Sequence, residues 1–411
     1  MTDASGRQPN FTQAVTWMVI AALANKGITF IGQVAIAHYL MPNSLGVIAP
    51  VLAIGTALSC MAGTGIRTIL VANSVDEASR MESQAHTVAL LMGIASFLAI
   101  IASGILYGWF AKGDVAPWWY FVIFGLYPLF ESATMVLTAR LQRSMQFKLT
   151  GFAMALGAMA GTVCVVLTAW AGLGTVSLLI GWPINMVIQF LLIRRWAGSL
   201  PNIGPWSWDL AHRAMVPQCA HAITALASGL PIMLAGAWAS PGDLGMYQWA
   251  SSLTTQVVFL ISSNLESVYM ADFAASVRGG ALGNRWRRAA GRALVIGFVL
   301  AGLQAIGLPF VIPWLLPANW GDMSTVIRWT CASSILLPAL AVARGALLAI
   351  GAARVMAVAD ITAIVIMLVL LVGWLRPHPE MMPAALAACS VVIGLSVLLF
   401  AHRQISCHSL R

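Results

Sequence analysis

Lys26, Arg67, Glu131, Glu266 and Asp360 lie inside, or at the ends of, otherwise apolar stretches of this 411-residue chain. A charge at mid-bilayer costs at least about 2.5–3.5 kcal/mol on insertion scales, so each such residue needs a reason to be there. The chemistry open to them is ion pairing, proton carriage, or contact with a charged ligand. Lys26 is the deepest cation, near the middle of the first apolar stretch. Glu131 and Asp360 are the buried acids. Asp360 is only about five residues into its stretch, where a first-turn capping role competes with proton carriage. No other arrangement suggests catalysis. There is no nucleophile–base constellation, no GxxxxGK[ST] phosphate loop, and no Cys/His spacing for zinc. Cys60, Cys164, Cys219, Cys331, Cys389 and Cys407 are scattered and read as small packing residues. His38, His221 and His378 share no ligand spacing. No catalytic residue, metal or cofactor is expected, and the protein is not expected to be an enzyme.

The elements that hold these charges follow from composition. Hydrophobic residues make up 60% of the chain and charged residues 9%, against about 25% charged in soluble domains. Sixteen Trp fit a protein with many water–lipid boundaries. The net charge of +9 does not point to nucleic acid. The Arg residues stand singly or in pairs between apolar runs and act as topology signals. The apolar run 14–39 is too long for a cleaved signal and reads as the first span.

About 20 apolar residues cross a bilayer. Twelve stretches of that kind fall near 14–38, 46–70, 84–110, 118–139, 149–170, 175–195, 214–238, 246–268, 290–311, 325–349, 355–375 and 384–402. With the N-terminus in the cytoplasm, 18 of the 22 Lys and Arg then lie on the cytoplasmic side, including helix ends. Lys112, Arg328 and Arg376 lie outside, and Lys26 lies within the membrane. One missed helix would invert every later loop, so the segregation supports twelve crossings with both termini inside.

The chain divides into an N-terminal six-helix lobe (1–195), a cytoplasmic linker (196–213), a C-terminal six-helix lobe (214–402) and a short tail (403–411). The halves echo one another. Pro42-Asn43-Ser44-Leu45-Gly46 and Pro241-Gly242-Asp243-Leu244-Gly245 both read P-x-x-L-G, 199 positions apart, in the first outer turn of each half. Pro128 and Pro338 each sit inside the fourth span of their half. A proline within a span frees a carbonyl and bends the helix. Repeated bundles are a transporter architecture; a duplicated channel or a scaffold is the alternative.

Three turns carry a resemblance. His38 to Gly46 resembles the helix 1–2 turn of polysaccharide flippases, commonly R-x-L-S-P-x-x-F/L-G. Leu141 to Lys148 is similar to their helix 4–5 turn, R-x-x-x-F-[RK]. Ala171 to Leu178 is similar to their helix 5–6 turn, G-x-G-x-W-x-L, with Val176 and Ser177 replacing the aromatic and small residues. These flippases belong to the multidrug/oligosaccharidyl-lipid/polysaccharide exporter superfamily. The resemblance implies an all-α polytopic protein, two six-helix lobes related by a pseudo-two-fold, and a V-shaped central cavity. It implies movement of a lipid-linked oligosaccharide of the polyprenyl-diphosphate type across the bacterial inner membrane by alternating access. Glycosyltransferases and a polysaccharide polymerase would be partners, beside membrane lipids.

Against that background Lys26 is expected to meet a diphosphate or an acidic sugar, lysine being a point-charge partner for phosphate. An ion pair with Glu131 is the competing reading. Arg67 and Glu266 lie at repeat-equivalent positions near the inner ends of spans two and eight. They could close an inner gate, or simply reach interfacial water. Glu131 is the better proton candidate of the two buried acids. Arg344 is expected to reach the headgroups. The basic run Arg278 to Arg292 reads as a surface for anionic headgroups or a docking site for a glycosyltransferase. A cation-coupled multidrug exporter of the same superfamily is the nearest rival. Those usually carry an acid in helix one, where this chain has Lys26.

Overall fold

The computed structural model describes residues 11–72, 75–110, 116–144, 146–236, 239–278, 282–320, 323–350, 352–375 and 381–409. Among them the regular structure is helical throughout. The first half runs α1 (Phe11–Ala37), α2 (Pro42–Ser59), α3 (Thr64–Ala72), α4 (Val75–Phe110), α5 (Trp118–Arg143), α6 (Phe147–Trp170) and α7 (Val176–Ala197). The second runs α8 (Trp208–Ala235), α9 (Pro241–Arg278), α10 (Leu282–Leu315), α11 (Ser324–Ser334), α12 (Leu337–Ala349), α13 (Ala353–Leu375) and α14 (Met382–Ser409). A 3-10 turn, Ala318–Trp320, follows α10.

Each of the twelve stretches read from the sequence holds a helix, and two hold a broken pair. The second span is α2 plus α3, interrupted at Cys60–Gly63, where Gly63 takes φ 105°, a conformation that disfavours side chains. The tenth is α11 plus α12, interrupted at Ile335 and Leu336 just before Pro338. That proline cannot donate to the preceding turn. Pro128, its counterpart, sits inside an unbroken α5. The two prolines of the sequence echo thus have different local outcomes. By length and apolarity alone, eight segments among the described residues can cross a membrane. The stretches in α1, α8, α9 and α13 each run over residues whose side chains lie outside the described ones.

Lipid-facing character is visible directly. Leu98, Leu303, Val369 and Leu399 are all more than half exposed, as side chains that face lipid are. Trp109, Trp118, Trp170 and Trp314 are exposed at helix ends, as aromatic side chains at a water–lipid boundary are.

Contacts divide the chain into two compact units, Met1–Leu40 with Pro50–Gly229 and Met41–Ala49 with Leu230–Arg411. The start of α2 groups with the second unit, and the linker with most of α8 groups with the first.

In the first unit α4 packs on α5, α5 on α7, α6 on α7, α1 on α6 and α3 on α5. Small residues permit the close approaches. Gly157 faces Asn185 and Gln189, and Gly161 faces the Gly181 carbonyl, so this small-residue pair seats α6 on α7. In the pair at 104 and 108, Gly104 meets the Phe121 ring, while a side chain at Gly108 would meet open space. The first two-thirds of α8 runs antiparallel along α2 and α3. Gly229 lies against the Ala53 carbonyl and Gly65 against that of Ala214. Between them Gln218 donates its side-chain amide to the Met61 carbonyl, which the break in the span has left free.

In the second unit α9 packs on α11 and α12, and α10 and α14 close the same core around Phe273, Trp286, Val342, Ala343 and Ile405. A second cluster joins Ala49 of α2 to Leu244, Tyr247, Met367, Met382 and Leu386. Here the two P-x-x-L-G segments meet. A Cβ at Gly46 would overlap the Pro241 carbonyl oxygen, and a Cβ at Gly245 would overlap that of Pro42.

The linker is shorter and more ordered than its composition suggests. Arg194 and Arg195 form the last turn of α7, where basic charge suits the carbonyl end of a helix. Ser207 accepts the Leu210 backbone N–H at the start of α8. The residues between are tied to the first unit. Gly204 donates its N–H to Thr87 Oγ1 (2.9 Å), and Trp206 packs edge-to-face on Trp208 over Leu91, Met92 and Ala95 of α4.

Candidate functional site

The charged positions fall on different elements, and packing decides their partners. α5 carries Glu131 one turn after Pro128, and Tyr127 lies one turn back on the same face. Tyr127 is held in turn by Phe124 and Trp182, ring centroids 5.8 and 5.6 Å away. α3 packs on α5, and Arg67 is an opposite charge in the neighbourhood of Glu131, without an ion pair between them. Cys60, at the break between α2 and α3, faces the same carboxylate.

Lys26 lies elsewhere. α1 packs on α6, and the lysine side chain is partly buried with no ion pair to any described residue. The ion pair considered between Lys26 and Glu131 is not formed in this structure. One turn from Lys26, Thr29 Oγ1 donates to the Asn25 carbonyl. Gly32, further along the same helix, meets the Thr162 side chain of α6.

Glu266 is in α9, but its side chain lies outside the described residues, as do Arg7, Lys112, Arg376, His378 and Arg411. Asp360 is the eighth residue of α13 and does not cap it. Its carboxylate accepts a hydrogen bond from Arg344 Nη2 at 3.1 Å, with the acid side chain 8% exposed. Both sequence expectations for this pair are corrected together. Arg344 does not reach outward, because α12 and α13 are neighbours and a buried carboxylate needs a cation.

Sequence reasoning missed Glu82. It accepts from Arg140 through both oxygens, at 2.9 and 2.6 Å, and from Arg143 Nη2 at 2.8 Å. Arg140 Nη1 reaches on to the Ser199 carbonyl at 2.8 Å. Two cations on one acid tie the start of α4 and the basic end of α5 to the linker. The signal was present: Arg140 and Arg143 are three apart at a helix end, so both face one side.

In the basic run, Arg285, Arg287, Arg288 and Arg292 are exposed on the first turns of α10. Trp286 turns the other way. It is buried against Phe273, and its Nε1 donates to His402 Nδ1 at 3.2 Å.

Comparison of the whole chain with solved structures gives the same architecture in several proteins. A multidrug resistance MATE family transporter of the MOP superfamily, inward-facing, matches with TM-score 0.71 at 14% identity, covering 95% of this chain and 98% of that one. The lipid II flippase MurJ in an inward closed conformation matches with TM-score 0.73 at 11% identity, covering 96% and 90%. A MOP superfamily transporter from Pyrococcus furiosus matches with TM-score 0.64 at 13% identity, covering 96% of each. No curated protein matches the chain in sequence. Together with the apolar helices, this makes the chain a multi-pass membrane protein with the fold of the MOP superfamily transporters. It belongs to the polysaccharide biosynthesis protein family, whose model matches residues 35–325.

Proposed function

We propose that this protein flips a lipid-linked oligosaccharide of the polyprenyl-diphosphate type across the bacterial inner membrane by alternating access, for cell-surface polysaccharide biosynthesis. The observation that carries this reading is Lys26, a cation inside the first span with no acidic partner among the described residues. An unpaired membrane cation suits an anionic head group. The family supports the biosynthetic context, and MurJ, a lipid II flippase, supports the substrate class. In this reading Lys26 and Arg67 contact the diphosphate. Glu131 and Glu266 serve as gating or ion-coupling acids. The arginine-rich helix ends and both termini are cytoplasmic, the chain divides at 196–213 into six-helix lobes, and glycosyltransferases and a polymerase act beside it.

The multidrug-exporter alternative, raised by the MATE likeness, is weakened by a first span that holds Lys26 and no Asp or Glu. Deletion of the gene discriminates. The flippase reading requires loss of surface polysaccharide, with lipid-linked repeat units accumulating in the inner leaflet. Unchanged polysaccharide together with new sensitivity to cationic drugs would reverse the choice.

A further inference from the structure

The linker between α7 and α8 bares large apolar side chains on a segment that is fixed in place. Ile203 and Trp208 are 77% and 78% exposed, and Trp206 is 37% exposed. We propose that residues 198–208 form a membrane-surface anchor. Ile203, Trp206 and Trp208 enter the interface of the adjoining leaflet, and the groove between the two indoles and α4 seats a phospholipid acyl chain. This reading does not depend on what the protein carries.

α4 supplies the position. Leu91, Ile94, Leu98, Ile105 and Trp109 are exposed at helical spacing and form one lipid-facing stripe. The linker crosses the same face. Gly204 donates its N–H to Thr87 Oγ1, and the Thr87 hydroxyl donates to the Gly204 carbonyl, both at 2.9 Å. A Cβ at Gly204 would press on Ser83 and on the Gln84 backbone, so glycine is what lets the chain lie this close. Upstream, Arg140 Nη1 holds the Ser199 carbonyl at 2.8 Å. Past Thr87 the indoles of Trp206 and Trp208, with centroids 5.2 Å apart, close a groove of about 380 Å³ over Leu91, Met92 and Ala95. The groove is thus continuous with the lipid-facing stripe. Its lining side chains are all aliphatic or aromatic, and hydrocarbon covers such surface where water would not.

The length of α4 sets the depth. Trp109 marks the far end of the stripe, and Leu91 lies 18 residues before it, about 27 Å along a helix. The hydrocarbon core of a bilayer is about 30 Å thick. Leu91 therefore falls near the opposite hydrocarbon boundary, where membrane proteins place indole rings. α4 has no aromatic residue before Phe97, and the linker supplies the two that it lacks. The charged residues of α4, namely Asp76, Glu77, Arg80 and Glu82, all precede Leu91 and lie outside the hydrocarbon. Arg194 and Arg195 are exposed on the last turn of α7, just before the linker begins, where anionic headgroups would attract them.

The test puts a nitroxide spin label at Ile203→Cys in the full-length protein, with the six native cysteines replaced by alanine or serine. The protein is reconstituted in vesicles of phosphatidylcholine and phosphatidylglycerol. The label should collide more often with oxygen than with a water-soluble nickel chelate, at a depth of about 5–10 Å into the headgroup and acyl boundary. Collision with the nickel chelate at the rate of a label in free solution would put the segment in water and overturn the anchor. Should the cysteine-free protein fail to fold, the native indoles carry the test. The emission lost on combining Trp206→Phe with Trp208→Phe should be quenched by phosphatidylcholine brominated on its acyl chains and spared by iodide in the water. Quenching by iodide, with the brominated lipid without effect, also overturns the proposal. Neither measurement involves transport, so failure here leaves the flippase reading in place.

Discussion

Gly46 and Gly245 meet face to face where the starts of α2 and α9 cross, each lying on the carbonyl of the other helix's first proline. The contact is reciprocal: Gly46 on Pro241, Gly245 on Pro42. Reciprocal contact between equivalent residues is the mark of a two-fold relation. A weak sequence echo, three letters shared across 199 positions, thus becomes a packing contact in which neither glycine can be enlarged without moving backbone.

Gly46→Ala and Gly245→Ala should each destabilise the protein by about 1–3 kcal/mol, the usual cost of overpacking. The double variant should cost less than the sum, since both act on one crossing. Gly108→Ala is the control, with nothing in reach of its Cβ, and should be neutral or slightly stabilising. Unfolding in mixed micelles reads all four. Equal effects at Gly46 and Gly108 would remove the crossing from the stability argument.

Glu82→Gln should loosen the basic end of the first unit more than Arg143→Gln does. The first change leaves two guanidinium groups facing each other, and the second leaves the Glu82–Arg140 pair intact. Breaking a buried pair from one side costs about 3–5 kcal/mol, and the exposure of Arg140, 25%, places this one toward or below the lower limit. Protease cleavage within residues 198–207 should accelerate in Glu82→Gln, because Arg140 holds the Ser199 carbonyl. Cleavage at the wild-type rate would show that the strap holds without the acid.

Arg344→Ala should be worse than Asp360→Asn. The alanine takes the Arg344 guanidinium from a carboxylate whose side chain is 8% exposed, whereas the amide leaves an arginine that is 29% exposed and can reach water. The difference should be on the order of 1 kcal/mol, the worth of one hydrogen bond to a charged group. A thermal unfolding series on the two variants and the double variant settles it. The opposite ranking would mean that Arg344 is the more desolvated member.

Lys26→Gln should separate function from fold. No described residue pairs with the lysine, so its removal should change stability by less than about 0.5 kcal/mol. Transport, followed as restored surface polysaccharide in a deletion strain at matched protein levels, should fall at least tenfold. Full complementation by Lys26→Gln or Lys26→Ala would eliminate the proposed diphosphate contact.

The membrane class, the number of helical stretches and most of their ends were legible in the sequence. A chain with so few charges has no other way to satisfy its backbone than helices in lipid, and a helix pays its hydrogen bonds locally. The turn glycines were legible for the same reason: Gly172 and Gly174 take φ 85° and 59°, conformations set within the turn itself. The partners of the charges were not legible. Asp360 holds Arg344 because α13 lies beside α12, and Glu82 gathers Arg140 and Arg143 because α4 lies on α5. Hydrogen bonding along one helix is decided by residues four apart. The pairing of charges across helices is decided by which faces come together, and that information resides only in the packed structure.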